Sequence, residues 1–241
     1  MVSARRLLRY PGAMRAPYFS PALFRFLRQL KRHNDRDWFA RNRERYEQDV
    51  REPLLRLIAE SAEPLARISP AVNADPRPMG GSMFRIWRDT RFSKDKTPFK
   101  THAAAHFRHR AGRDVHAPGF YLHLEPGNVF FGAGIWHPDK EALDAIRRGI
   151  VENAALWKRI TKGRAFCRAC YWDGDSAKRV PAGIDPRHPL IEDLLRKDFT
   201  VLAEVPEKDA LRADFLDRFV RFCGAVSGLN AFLARSLSLD W

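Results

Sequence analysis

From the first apolar repeat onward, the chain moves from helical spacing to strand spacing and back. Ser20-Pro21 supplies an N-cap with proline at the first helical position. Leu23, Phe26, Leu27 and Leu30 then form one stripe. Asn34-Asp35 breaks that helix and caps a second, in which Trp38, Phe39, Asn42, Tyr46 and Val50 recur at helical spacing. Pro53 predicts a kink or restart, Leu54, Leu57 and Ile58 continue the stripe, and Pro64 predicts its end nearby. Ser69 to Ser82, with Pro70, Pro76, Pro78 and Gly80-Gly81, reads as a loop.

The period then changes to two. Arg85, Trp87, Asp89 and Arg91 fall on one face of a predicted strand, and Phe84, Ile86, Arg88, Thr90 and Phe92 on the other. Beyond Pro98 a second strand places Phe99, Thr101, Ala103, Ala105 and Phe107 on one face and Lys100, His102, His106 and Arg108 on the other. The alanine run leaves a helix open there. Gly112 to Gly119 predicts a turn, and Pro126-Gly127 a hairpin. Pairing Glu125 with Asn128 sets Tyr121 opposite Gly132 and His123 opposite Phe130. Gly132 and Gly134 leave that face bare, open to a ligand or to another backbone.

His137-Pro138-Asp139 starts a helix carrying Leu143, Ile146, Ile150 and, beside the stripe, Arg147; Asn153 caps a short successor. Residues 165–181 read as strand-like around Asp173-Gly174, 190–197 as helical and 199–205 as extended. From Asp209, the positions Leu211, Phe215, Phe219, Phe222, Val226, Leu229 and Phe232 predict a helix, or a pair broken near Gly224–Gly228. No repeat or linker divides the chain. The expectation is one α+β domain over residues 14–241, a mainly antiparallel central sheet flanked by N- and C-terminal helices. Residues 1–13, basic and aperiodic, are expected to be a disordered extension, with a transit peptide as the alternative.

Composition supports a packed core: 241 residues, 45% hydrophobic and 12% aromatic. No apolar run approaches the roughly 18 residues that span a bilayer, so a soluble, cytoplasmic protein is expected. The net charge of +14 favours polyanions such as nucleic acid or phosphorylated metabolites. Arginine outnumbers lysine by 33 to 10, which a GC-rich coding sequence also produces, so the excess of positive charge is the firmer signal. Three cysteines make no disulfide framework, and Cys167-x-x-Cys170 lacks the second pair of a zinc ribbon. They read as ordinary thiols, Cys223 within the core.

Charge is densest from Phe84 to Lys100, where Arg85, Arg88, Arg91, Lys94, Lys96 and Lys100 face only Asp89 and Asp95. Arginine forks match phosphate and carboxylate geometry bidentately. The favoured reading is a pocket for an anionic, phosphorylated small ligand: Arg85, Arg91 and Lys96 donate, Asp89 holds an arginine, and Lys178 and Arg179 complete the ring. Asp95, Tyr121, Gly132 and Gly134 complete the set of candidate ligand-binding residues. A purely structural alternative pairs Asp89 with Arg85 or Arg91 and Asp95 with Lys96.

Two other functions compete. A nucleic-acid-binding or structural interaction module would use Trp87, Phe92, Phe99 and His102 for stacking, but helix-turn-helix, zinc-finger, RNP and KH signatures are absent. A metal-dependent hydrolase would need more than His102-x-x-x-His106, which lacks the glutamate of H-E-x-x-H and an obvious third ligand; His123, His137 and His188 are dispersed. No metal and no cofactor are expected. With no G-x-S-x-G, Walker loop or G-x-G-x-x-G, no catalytic residue is assigned and enzymatic activity is left open.

The run Arg85-x-x-Arg88-Asp89-x-Arg91-Phe92-x-x-Asp95-Lys96-x-Pro98-Phe99-Lys100 resembles the signature of a conserved-hypothetical bacterial family, domain of unknown function twenty-four sixty-one, also found at the C-terminus of longer fungal proteins. Phe99 stands where that family usually has tyrosine, which argues against a required hydroxyl there. The resemblance extends to Phe26 through Asn42 with Asn34, Arg36, Trp38 and Phe39, and to Tyr46. It also takes in Pro118–Tyr121, Gly132, Gly134, Arg147, Lys178 to Pro181, Gly183 and His188-Pro189. It implies a single-domain protein of similar length with no agreed activity.

Overall fold

The computed structural model describes residues 16–111 and 117–241. The expected extension at 1–13 and most of the turn expected at 112–119 lie outside the described residues.

The chain opens with α1 (Pro21–Arg32), capped by Ser20 and burying Leu23, Phe26, Leu27 and Leu30 as their spacing requires. Asp35 caps α2 (Arg36–Arg41) by accepting from the Trp38 amide at 2.7 Å. After α3 (Arg43–Tyr46) a π-helical turn, Glu47–Arg51, leads into α4 (Glu52–Ile68). The π turn absorbs the irregularity that Pro53 imposes, so the proline sits in the first turn of a restarted helix. Pro64 does not end α4. Leu65, wholly buried, holds the last turn in place despite the missing amide.

The strands are β1 (Val72–Asn73), β2 (Ala103–His109), β3 (Gly119–Glu125) and β4 (Asn128–Ile135). Then come α5 (Lys140–Glu152), α6 (Ala154–Thr161), α7 (Arg164–Ala169), β5 (Tyr171–Asp173), α8 (Ile191–Leu194), β6 (Phe199–Val205), α9 (Glu207–Ala210) and α10 (Phe215–Ser236). Among the described residues the sheet has six antiparallel strands in the order β1-β2-β3-β4-β6-β5. The molecule is therefore α+β, and the hairpin register is the expected one, with Glu125 opposite Asn128, Tyr121 opposite Gly132 and His123 opposite Phe130.

Helix α10 covers one face of this sheet. Phe107 and Phe131 pack on Phe219, and Phe131 also meets Phe215 and Phe222, at ring separations of 5.1–5.7 Å. The break expected near Gly224–Gly228 is absent. Two helical glycines cost about 1 kcal/mol each, which burial of Phe222, Val226, Leu229, Phe232 and Leu233 outweighs. A Cβ added at Gly228 would lie 3.6 Å from Ile160 Cγ2, an ordinary van der Waals contact, so α10 runs close to α6 there.

Two further expectations shift. Residues 164–169 are helical because Phe166 is buried there, leaving only Tyr171–Asp173 as strand. The helix expected over 190–197 is one turn, since Arg196 leaves it to pair with Ser176. Among the described residues, no helix is long and apolar enough to cross a membrane.

The segment 84–92 is not a regular strand. It carries isolated bridges, Met83 with Ala105 and Trp87 with Phe99, so four steps along one side oppose six along the other. The surplus bulges out at Thr101–His102. The alternation of sides nevertheless holds from Arg85 to Arg91: Arg85, Trp87, Asp89 and Arg91 are exposed, while Ile86 is buried and Arg88 and Thr90 half-buried. Phe92 breaks it, 95% exposed although expected on the same face as Ile86. The chain turns there, and Lys96 donates to the Thr90 carbonyl at 2.9 Å to close the loop.

Candidate functional site

Alternation along the strands leaves the sheet face opposite α10 with a different chemistry. β2 presents His106 and Arg108, β3 presents Tyr121, His123 and Glu125, β4 presents Phe130 and Gly132, and β6 presents Thr200 and Leu202. A cavity of about 540 Å³ opens on this face, its wall completed by Phe84, Gly134, Trp136 and Asp173. Arg108 on β2 and Asp173 on β5 stand four strand spacings apart, about 19 Å, so the floor runs from a cation to a carboxylate. A larger depression of about 760 Å³, lined by Pro17, Tyr18, Asp49, Glu52, Pro53 and Arg56 among others, shares no residue with this sheet face.

The glycines of this face do two different things. Gly134 has φ +111°, and a Cβ there would lie 1.9 Å from the Phe199 carbonyl oxygen, so its bareness serves strand pairing with β6. A Cβ on Gly132 would meet only side-chain atoms, Leu202 Cδ2 at 3.3 Å and Tyr121 Cβ at 3.4 Å; its bareness makes the cavity floor. Gly119 admits His106, whose Nε2 would be 2.7 Å from an added Cβ.

The predicted motif residues divide. Arg91 is exposed and forks onto Asp89 at 2.8–3.0 Å, which holds that carboxyl down at about 2. Asp95 accepts from the Thr97 amide and from Arg88, not from Lys96, and is likewise held at about 2. Asp89, Arg91, Asp95 and Lys96 thus form a loop closed on itself, outside the cavity lining. Lys178 and Arg179 are exposed on the segment after β5 and do not line the cavity either. Tyr121, Gly132 and Gly134 do.

Arg85 has a different situation: it makes no hydrogen bond or ion pair with any described residue, and neither Lys100 nor Arg108 pairs with a carboxylate. Lys100 Nζ lies 4.9 Å and the Arg108 guanidinium 5.9 Å from the ring centre of Phe84, which lines the cavity. Burial, and then repulsion from Arg85, lower the Lys100 ammonium below its ordinary value. Lys100 and Arg108 therefore meet over one wall of the cavity, neither paired with a carboxylate, and Arg85 stands close enough to repel Lys100 while also acting on Asp89.

Arg108 Nε donates to Nδ1 of His106 at 3.2 Å, which places the imidazole proton on Nε2. Burial, with Arg108 beside it, pushes His106 down to about 4. Nearby, His102 comes beside His123 and Glu125, the nearest donor atoms of the three all within 4.8 Å of one another. His106, the sequence partner considered for His102, does not join them. Burial, then repulsion from His123, lowers His102 to about 4, and burial lowers His123. Sequence spacing could not assemble this trio because it depends on the β2–β3 register. The thiols are no part of the site: Cys170 is pushed up to about 12 by burial and Cys223 is wholly buried.

Comparison with known proteins gives one match. A family model described as "Conserved hypothetical protein (DUF2461)" covers residues 22–232. No curated protein and no solved structure matches.

Proposed function

The chain belongs to the DUF2461 family of conserved hypothetical proteins, and from the geometry of its open sheet face we propose that it binds a small organic anion, phosphorylated or carboxylated. The body of the ligand lies over Gly132 between Tyr121, Phe130 and Leu202, and its anionic end is drawn by Arg85, Lys100 and Arg108. The observation that carries this reading is the meeting of Lys100 and Arg108 over Phe84, neither paired with a carboxylate, with Arg85 near enough to repel Lys100. Like charges held together cost free energy unless a counter-ion joins them, and a desolvated anion beside arginine forks gains charge-assisted hydrogen bonds. Of the motif's own charges, Arg85 takes part, while Asp89, Arg91, Asp95 and Lys96 brace the loop that delivers it.

The test is thermal stabilisation by inorganic phosphate and by nucleotides. Arg108→Ala and Arg85→Ala lose the shift, and Lys208→Ala, on the exposed side of α9, keeps it. Equal shifts in all three reject the site.

A second reading has its own observation. Phe92 is 95% exposed, with the Arg91 guanidinium 5.8 Å from its ring centre, a platform on which a base can stack. Single-stranded nucleic acid binding there would fall steeply with salt and vanish in Phe92→Ala. Phe92 does not line the cavity, so the two readings separate by variant.

A further inference from the structure

We propose that His102, His123 and Glu125 form a binding site for one divalent transition-metal ion per chain. His123 and Glu125 are two residues apart on β3 and so share its open face. Extending the pairing of Ala103 with Leu124 by one step sets His102 beside Glu125. The two imidazole rings lie 4.5 Å apart, and Glu125 Oε2 is 3.5 Å from His123 Nε2. An ion with bonds of about 2.1 Å wants tetrahedral ligand atoms about 3.4 Å apart, so separations of at most 4.8 Å close by small rotations of the half-buried His102 and Glu125 side chains.

The surroundings are those of a ligand set. Phe130 stacks on His123 at 4.6 Å and 13°, fixing the ring plane. The Tyr121 hydroxyl lies 3.1 Å from His123 Nδ1, which fixes that nitrogen and turns Nε2 toward Glu125. Thr101 Oγ1 donates to Oε1 of Glu125 at 3.1 Å, leaving Oε2 for the ion. His102 is half-buried and makes no hydrogen bond with any described residue, a polar ring turned toward another imidazole and a carboxylate. Two imidazoles and one carboxylate select borderline ions such as Zn²⁺, Co²⁺, Ni²⁺ or Fe²⁺ over Mg²⁺ and Ca²⁺, which prefer oxygen. Three protein ligands leave further positions to water, and Tyr121 and Phe130 bring the ion to the border of the cavity.

The site stands independently of the anion reading, since none of its ligands is among the three cations. Its test is titration of the chelator-treated full-length protein with Zn²⁺ and with Co²⁺, the latter followed by its visible absorption. One ion per chain is expected, undisplaced by excess Mg²⁺ or Ca²⁺. His102→Gln and Glu125→Gln weaken binding at least about tenfold. Lys31→Ala tightens it several-fold, because the Lys31 ammonium lies 3.9 Å from Glu125 and opposes a second cation. Lys31 is exposed and its loss leaves folding intact, so this arm holds even if a ligand variant unfolds. Failure to saturate, or equal affinity in all four proteins, overturns the proposal.

Discussion

Asn34 holds Phe99 by both of its backbone groups: Nδ2 donates to the Phe99 carbonyl at 2.9 Å and Oδ1 accepts from the Phe99 amide at 3.0 Å. The side chain thus replaces a strand partner at the end of the charged segment. Phe99, wholly buried, stacks on Phe39 at 4.1 Å and meets Trp87 at 4.5 Å. Phe99 and Asn34 therefore set the segment's path, and its basic positions are displayed on the result. Asn34→Ala leaves a buried N–H and C=O unpaired and is expected to cost about 2–3 kcal/mol, read as a shift of the denaturant midpoint. A loss below about 0.5 kcal/mol would show that water replaces the clamp.

The two glycines of β4 predict unequal costs. Gly134→Ala would combine a positive φ with a Cβ driven into the Phe199 carbonyl, and backbone cannot step aside as a side chain can. A loss of about 3 kcal/mol or more is expected, or failure to fold. Gly132→Ala asks Leu202 and Tyr121 to give by a few tenths of an ångström and should cost less than about 1 kcal/mol, while narrowing the cavity floor. Equal destabilisation would contradict the separate roles assigned to them.

Much of the sheet was legible because its cues are local. Pro126-Gly127 fixes the hairpin, and alternation then fixes every partner from Glu125 to Tyr121. The C-terminal helix was legible except for its continuity, which depends on a surface that only the folded sheet supplies. The candidate site was legible where it rests on that register, at Tyr121 and Gly132. It was not legible where charge had to be located in space: Arg91 finds Asp89 two residues away, whereas Arg85 finds Lys100 across an irregular pairing. His102, His123 and Glu125 meet through the β2–β3 register, which no local turn cue fixes.

His106 predicts a pH dependence. Its folded value, about 4, lies below its ordinary 6.5 because burial and Arg108 disfavour the charged ring. Phe84 and Tyr121 flank it without offering a counter-charge. A depressed histidine contributes stability above its unfolded value and loses it as pH falls through the folded one, here between 6.5 and about 4. The loss is of order 3 kcal/mol at most. His102 and His123 are shifted in the same direction, so the measurement is a difference: His106→Gln should show a shallower decline than the parent across that window. Parallel curves would mean that His106 takes up its proton in the fold as readily as in the unfolded chain.

Tyr121 distinguishes the two proposed sites that meet at it. Its ring forms one side of the cavity floor, and its hydroxyl serves His123. Tyr121→Phe removes only the second function, with a stability cost of about 1 kcal/mol. Because loss of a group that orients a ligand imidazole weakens metal binding by about 10–100-fold, Zn²⁺ affinity should fall while the thermal shift given by phosphate additives survives. Arg108→Ala should do the reverse, since Arg108 bonds His106 and not the trio. If each variant moves only its own readout, the open face carries two neighbouring sites. If both variants abolish both, the ion and the anion occupy one site and the ligand binds through the metal.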